Sequence, residues 1–131
     1  MSKTDTILAI AGEAITAYRF VKADSGDSYK IDMADTEGEE VLGVATAAAA
    51  DDGEVLIAVA GYTLVDFGEA ANLGDHVTTD ASGKAILANA TDDNRLGFYA
   101  PEPVDGVSPA IASGQRGRVY LYANKTVLKP A

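Results

Sequence analysis

Glycine and aspartate punctuate this chain at intervals of roughly eight to twelve residues, and short β-rich runs lie between them. No stretch sustains a 3.6-residue apolar period over several turns, so a helical bundle is ruled out. The spacing predicts an all-β chain, a small single-domain barrel or sandwich with short loops and at most one or two helical turns. The chain has 131 residues, the size of one domain.

The predicted strands follow the apolar alternation. Thr6 to Ala11 reads as the first. Ala17-Tyr18-Arg19-Phe20-Val21-Lys22 alternates, with Tyr18, Phe20 and Lys22 on one side, and Tyr29 to Asp32 returns from the turn Asp24-Ser25-Gly26-Asp27. Leu42 to Thr46 begins another strand. Glu54 to Ala60 is apolar on both faces and is placed at the centre of the fold. It predicts Val55, Ile57 and Val59 in the core and Leu56 packed on the opposite face. Gly61 interrupts the run as a bend or bulge would, and Tyr62 to Phe67 continues the alternation. Ala47 to Ala50 and Glu69 to Leu73 are the two candidate helical turns, the second closed by Gly74. His76-Val77-Thr78-Thr79 and Lys84-Ala85-Ile86-Leu87 flank Asp80-Ala81-Ser82-Gly83 as a hairpin, with Gly83 free to take a positive φ. Arg95 to Ala100 ends at Pro101, and Arg118 to Tyr122 is the last strand. There Val119 and Leu121 share one face, and Arg118, Tyr120 and Tyr122 the other.

Charge narrows the partners. The net charge is −10, from 20 acids against 10 bases. Nucleic acid and anionic membrane both select a basic footprint, so neither is the expected partner. The apolar runs fall well short of a bilayer span, and the polar start Met1-Ser2-Lys3-Thr4-Asp5-Thr6 is unlike a signal peptide. The expected product is a soluble protein made in a cytoplasm. There is no cysteine and a single histidine, His76, so thiolate and histidine-cluster metal sites and a cysteine nucleophile are excluded. The 24 alanines leave a thin core of small side chains, which suits a protein that gains stability from an oligomer or a host surface.

No catalytic residue, metal site or cofactor emerges. His76 follows Asp75 but has no serine in an elbow motif to serve, and it reads as a surface or strand-end histidine. Asp51-Asp52 and Asp92-Asp93 lack the alternating ligand spacing of a calcium loop and read as turn chemistry. Lys84 lies beside a hairpin tip, where lipoyl and biotinyl carrier domains present a modified lysine, but without their flanking residues. Gly117 to Tyr122 has aromatics on a strand, but not the frame of an RNA-recognition fold. Asn124-Lys125-Thr126 matches a glycosylation sequon, which has no meaning without secretion.

Ala17 to Lys22, then Val41-Leu42-Gly43-Val44-Ala45-Thr46, then Gly53-Glu54-Val55 through Gly61, form an ordered series. Leu73-Gly74-Asp75-His76-Val77-Thr78 with Asp80 and Gly83-Lys84 continues it, and Arg95 to Ala100 and Gly117 to Leu121 close it. In this order the pieces resemble the head-decoration, or cement, proteins of tailed bacteriophages, over about four fifths of the chain. The resemblance implies a β-rich, non-catalytic protein, often a homotrimer, bound to the major capsid protein on the outside of the phage head, where it stabilises the shell. A lipoyl- or biotinyl-like carrier domain and another head or tail structural subunit are the alternatives.

Under that reading residues 1–6 form a flexible arm and 7–131 the decoration domain. The ten acids between residues 24 and 54 face only Lys30, whereas after Asp105 only bases remain. The expected capsid contacts are therefore Ser2, Lys3, Thr4, Asp5 and Thr6 of the arm, with Arg116, Arg118, Lys125 and Lys129 at the basic end.

Overall fold

One long strand organises the molecule. The computed structural model describes residues 4–23, 30–89 and 93–123, and among them there is no helix. The strands are β1 (Asp5–Ala11), β2 (Phe20–Ala23), β3 (Lys30–Met33), β4 (Gly43–Ala45), β5 (Glu54–Asp66), β6 (His76–Thr79), β7 (Ala85–Leu87), β8 (Gly97–Tyr99) and β9 (Arg116–Leu121). They form one continuous sheet in the order β1-β3-β2-β4-β5-β9-β8-β6-β7, with an extra pairing of β1 to β5. The turn at 24–27, Tyr29, Asp92 and the sequon at 124–126 lie outside the described residues.

That extra pairing closes a ring. β1 runs parallel to β3 and antiparallel to β5, so β1, β3, β2, β4 and the first half of β5 make a five-stranded barrel. The second half of β5 joins β9, β8, β6 and β7, and a parallel bridge from Phe67 to Ala85 closes that ring too. β5 changes rings at Gly61, whose φ of 90° is costly for a residue with a Cβ. The sequence reading of a bend at this position holds.

The two barrels are the same structure twice. In each, the first strand pairs parallel with the third and antiparallel with the fifth. The loop hydrogen bonds repeat: Ala11 N–H to Gly53 O at 2.9 Å matches Phe67 N–H to Gln115 O at 2.8 Å, and Ile15 N–H to Ala49 O matches Ala71 N–H to Ile111 O. Tyr18 N–H to Ala45 O matches Gly74 N–H to Tyr99 O, and Leu42 N–H to Val21 O matches Leu96 N–H to Val77 O. Tyr18 and Gly74 both have positive φ, as do Asp52 and Gly114. In each unit a Gly-Glu-Ala triplet, at residues 12–14 and 68–70, follows the first strand. Its glutamate accepts a backbone N–H from the third strand, Met33 to Glu13 Oε2 and Leu87 to Glu69 Oε1, both at 2.9 Å.

Interior volume is conserved by exchange. The first barrel is filled by Ala11, Ile15, Val21, Ile31, Ala45, Val55 and Ile57. Their counterparts in the second are Phe67, Ala71, Val77, Ala85, Tyr99, Gly117 and Val119. Two alanines become the edge-to-face pair Phe67 and Tyr99, 5.3 Å between centroids. A valine becomes Gly117, where a Cβ would run into Ile111, Tyr99 and Phe67. Gly43 and Gly97 are matched for another reason: a Cβ on either would overlap the carbonyl oxygen of Ala58 or Tyr120 on the neighbouring strand.

Several sequence expectations need correction. β1 starts at Asp5, so Asp5 and Thr6 belong to the barrel and not to a free arm. β2 starts at Phe20 because the left-handed backbone at Tyr18 breaks the alternation. Neither candidate helical turn forms: Ala49 and Ala71 instead make equivalent β-bridges, to Ile15 and Ile111. On β5, Val55 and Ile57 are buried as expected, but Val59 is only half-buried and Leu56 is 49% exposed. On the outer face of β5, Ala58 is fully buried in the cluster that joins the two barrels, and Leu56 lies outside that cluster.

Candidate docking surface

The described strands of the chain begin and end at one place. Asp5 pairs with Ala60 and Leu121 with Gly61, so β1 starts and β9 finishes beside consecutive residues of β5. The described ends of the two segments that carry the expected contacts, far apart in sequence, are thus neighbours in the fold. Ser2, Lys3, Lys125 and Lys129 lie outside the described residues. Thr4 is exposed, and its hydroxyl donates to the Tyr62 carbonyl at 2.6 Å. Thr6 pairs with Ala58.

Arg116 and Arg118 are engaged within the chain. Asp66 accepts from Arg116 Nε at 2.7 Å and from Arg19 Nε at 3.1 Å. The Arg116 guanidinium also stacks 3.9 Å from the Tyr18 ring centroid. Burial pushes the Asp66 carboxyl up, but the hydrogen bonds from Arg116 and Arg19 outweigh it and hold the group below its ordinary value. Arg118 donates to the Ala100 carbonyl at 2.7 Å, pairs with Glu102 at 3.2 Å and lies 4.5 Å from the Tyr62 ring centroid. Neither arginine is a free charge awaiting an acidic partner, because spacing along a strand does not reveal which carboxylate lies across it.

The acidic loop is likewise tied down. Lys22 bonds Asp35 at 2.5 Å and Glu39 at 3.3 Å, and Glu39 accepts the N–H groups of Asp35 and Thr36. The hydrogen bond from Lys22 lowers the exposed Asp35 carboxyl.

The surface that the sequence signalled only in part is aromatic. Tyr62, Tyr120, Phe98 and His76 are cross-strand partners in one row over β5, β9, β8 and β6. Tyr62 and Tyr120 meet edge-to-face at 5.1 Å, and Phe98 lies 5.6 Å from Tyr120. Tyr122 adds a ring 6.1 Å from Phe98, and its hydroxyl is 3.1 Å from His76 Nδ1. The alternation along β9 foretold Tyr120 and Tyr122 on one face, with Val119 and Leu121 buried on the other. Tyr62 and Phe98 join them through register between distant segments. Burial, aided by the charge of Arg95 and opposed by that of Asp75, lowers the His76 imidazole below its ordinary value.

The other residues singled out behave as structural parts. Asp52 takes a positive φ in its turn and bonds Lys30 at 2.6 Å. Lys84 is half-buried, past the hairpin tip, and its N–H is held by Asp80 Oδ1. Among the described residues no group of three or more His, Asp or Glu is placed to hold a metal ion.

The architecture defines a class, an all-β chain of two fused five-stranded barrels sharing one strand. A solved structure of the same fold is the N base of the head fiber gp8.5 of bacteriophage phi29. The likeness covers 94% of this chain and 98% of that one, with a TM-score of 0.69 and 20% sequence identity. No family model matches the chain, and no curated protein does.

Proposed function

We propose that this chain is a structural, non-catalytic protein of a phage head, bound to the major capsid protein on the outside of the shell as a homotrimer that reinforces it. The observation that carries this reading is the shared fold with a phage head fiber base over nearly the full length of both chains. The ordered motifs resembling decoration proteins support it independently. The protein is made in the host cytoplasm and resides in the virion. It works by contact, with no cofactor, nucleic acid or membrane.

The capsid contact is assigned to the place where β1 begins and β9 ends. Ser2, Lys3 and Thr4 precede β1 in the chain and Lys125 and Lys129 follow β9, and the described ends of those two strands lie beside Ala60 and Gly61. Arg116 is paired with Asp66 and Arg118 with Ala100 and Glu102, so these two candidates would enter the contact as charges already partly neutralised within the chain. Exposed charge pairs contribute only about 0–1 kcal/mol each and are screened by salt. Binding therefore rests on many contacts and weakens with salt without vanishing.

Co-sedimentation with expanded, undecorated heads tests this. The full chain is expected to saturate the heads. A variant lacking residues 1–3 and carrying Lys125→Glu and Lys129→Glu is expected to lose at least tenfold in affinity at low salt while keeping its melting temperature. Full occupancy by that variant at all salt concentrations places the contact elsewhere, and failure of the full chain to bind heads overturns the function.

A further inference from the structure

The repeat exposes an asymmetry between the two barrels. In the first, the outward row on β2, β4 and β5 is Phe20, Val44 and Ala58, paired in that order. All three are fully buried, because they share a core cluster with Val77, Leu96 and Leu121 of the second barrel. The register makes His76, Phe98 and Tyr120 the same row of the second barrel, with Tyr62 extending it as Thr6 extends the first. Nothing in the described chain buries this row: Tyr120 is 37% exposed, and Tyr62, Phe98 and His76 are half-buried.

The receiving side shows the converse. Leu96 and Leu121, which help bury the first row, are 0% and 1% exposed. Their counterparts in the first barrel are Leu42, 37% exposed, and Val59, half-buried. Leu42 lines an open cleft of about 220 Å³ with Lys22, Ala23, Glu40 and Val41. Among the described residues the second barrel thus carries a row that nothing buries, and the first barrel carries an exposed Leu42 where the second has the buried, row-covering Leu96. These match the two halves of the contact the chain already makes internally.

We propose that a second copy of this chain covers the aromatic row with its first barrel, head to tail, so that the contact between chains repeats the contact between barrels. The occupant is a second copy because the equivalent row, in the one place where its cover is visible, is covered by the equivalent barrel of this same chain. Tyrosine and phenylalanine supply broad apolar area with a polar tip, which suits a surface that is wet in the free chain and buried in the assembly. Such a contact joins two different surfaces, so it closes only as a ring. The number of copies, three, rests on the proposed function; the contact itself does not.

Sedimentation velocity on the full chain tests it with two variants, Tyr120→Glu on the row and Leu42→Glu on the receiver. The native chain is expected to sediment as a closed oligomer and each variant as a monomer. An equimolar mixture of the two is expected to form a dimer and stop there, since the Tyr120→Glu chain keeps its receiver and the Leu42→Glu chain keeps its row. A monomeric native chain, or assembly of either variant alone, overturns the proposal; assembly of Leu42→Glu but not Tyr120→Glu would mean that the row pairs with itself. A mixture that stays monomeric also overturns it. Circular dichroism checks that each variant folds, and Tyr120→Ser with Leu42→Ser replaces any that does not. Head binding is measured separately: loss of head binding with intact assembly counts against the proposed function and leaves this contact standing.

Discussion

Gly117 shows how one residue carries the difference between the two barrels. It stands where the first barrel has Val55, and its missing side chain makes room for Phe67 and Tyr99. Gly117→Val overpacks that interior and is expected to destabilise the protein by about 1–3 kcal/mol. Adding Phe67→Ala recreates the alanine–valine pairing of the first barrel, so the double variant is expected to be more stable than the two single losses sum to, by roughly 1 kcal/mol or more. Additive losses in urea unfolding would show that the two sites are independent. His76 offers a second test. Its folded form favours the neutral ring, so the stability it contributes is complete above the unfolded value of about 6.5 and is lost as pH falls through its lower folded value. Between pH 7 and pH 5 the native protein is expected to lose more thermal stability than His76→Gln; equal losses would assign the acid sensitivity to other groups.

At the scale of elements, the matched Gly-Glu-Ala turns fasten the third strand of each barrel to the end of the first. The bond is a carboxylate accepting one backbone N–H, with the same distance in both units. Glu13→Ala and Glu69→Ala are therefore expected to cost similar amounts, about 1 kcal/mol each for partly solvated hydrogen bonds. Chemical denaturation measures both, and a difference larger than the bond itself would show that the two turns are not equivalent in energy. Part of this was legible beforehand. The strands read at 54–60, 76–79 and 95–100 (the last of which is observed over Gly97–Tyr99), the hairpin with Gly83 at positive φ, and the two faces of β9 all follow from local alternation and turn chemistry. The β-bridges at Ala49 and Ala71 were not, because an alanine-rich turn is read as helical until a distant partner is seen.

For the whole molecule, the shared β5 and the buried Phe20 make two barrels one folding unit. Phe20 emerges from the first barrel and is fully buried in the cluster that fills the second. Phe20→Ala is expected to cost about 3–5 kcal/mol. Calorimetry is expected to show a single transition in both proteins, shifted down in the variant, with calorimetric and van't Hoff enthalpies equal. Two separated transitions would show that the barrels fold independently.

The sequence by itself determined the all-β class, the central place of the strand from Glu54, the bend at Gly61 and the likeness to phage head proteins. Each is written in short-range features: alternation, turn residues and the order of small motifs. Only the tertiary structure decided that the chain is one barrel built twice, that Arg116 answers to Asp66, and that Tyr62 and Phe98 join Tyr120 in a row. The matched positions rarely keep the same residue: Gly12-Glu13-Ala14 returns as Gly68-Glu69-Ala70, and Leu42-Gly43 as Leu96-Gly97, but Ala11, Ala45 and Val55 return as Phe67, Tyr99 and Gly117. What the two barrels conserve is backbone pairing and filled volume. Both are properties of residues brought together from distant parts of the chain, so neither leaves a local mark along it.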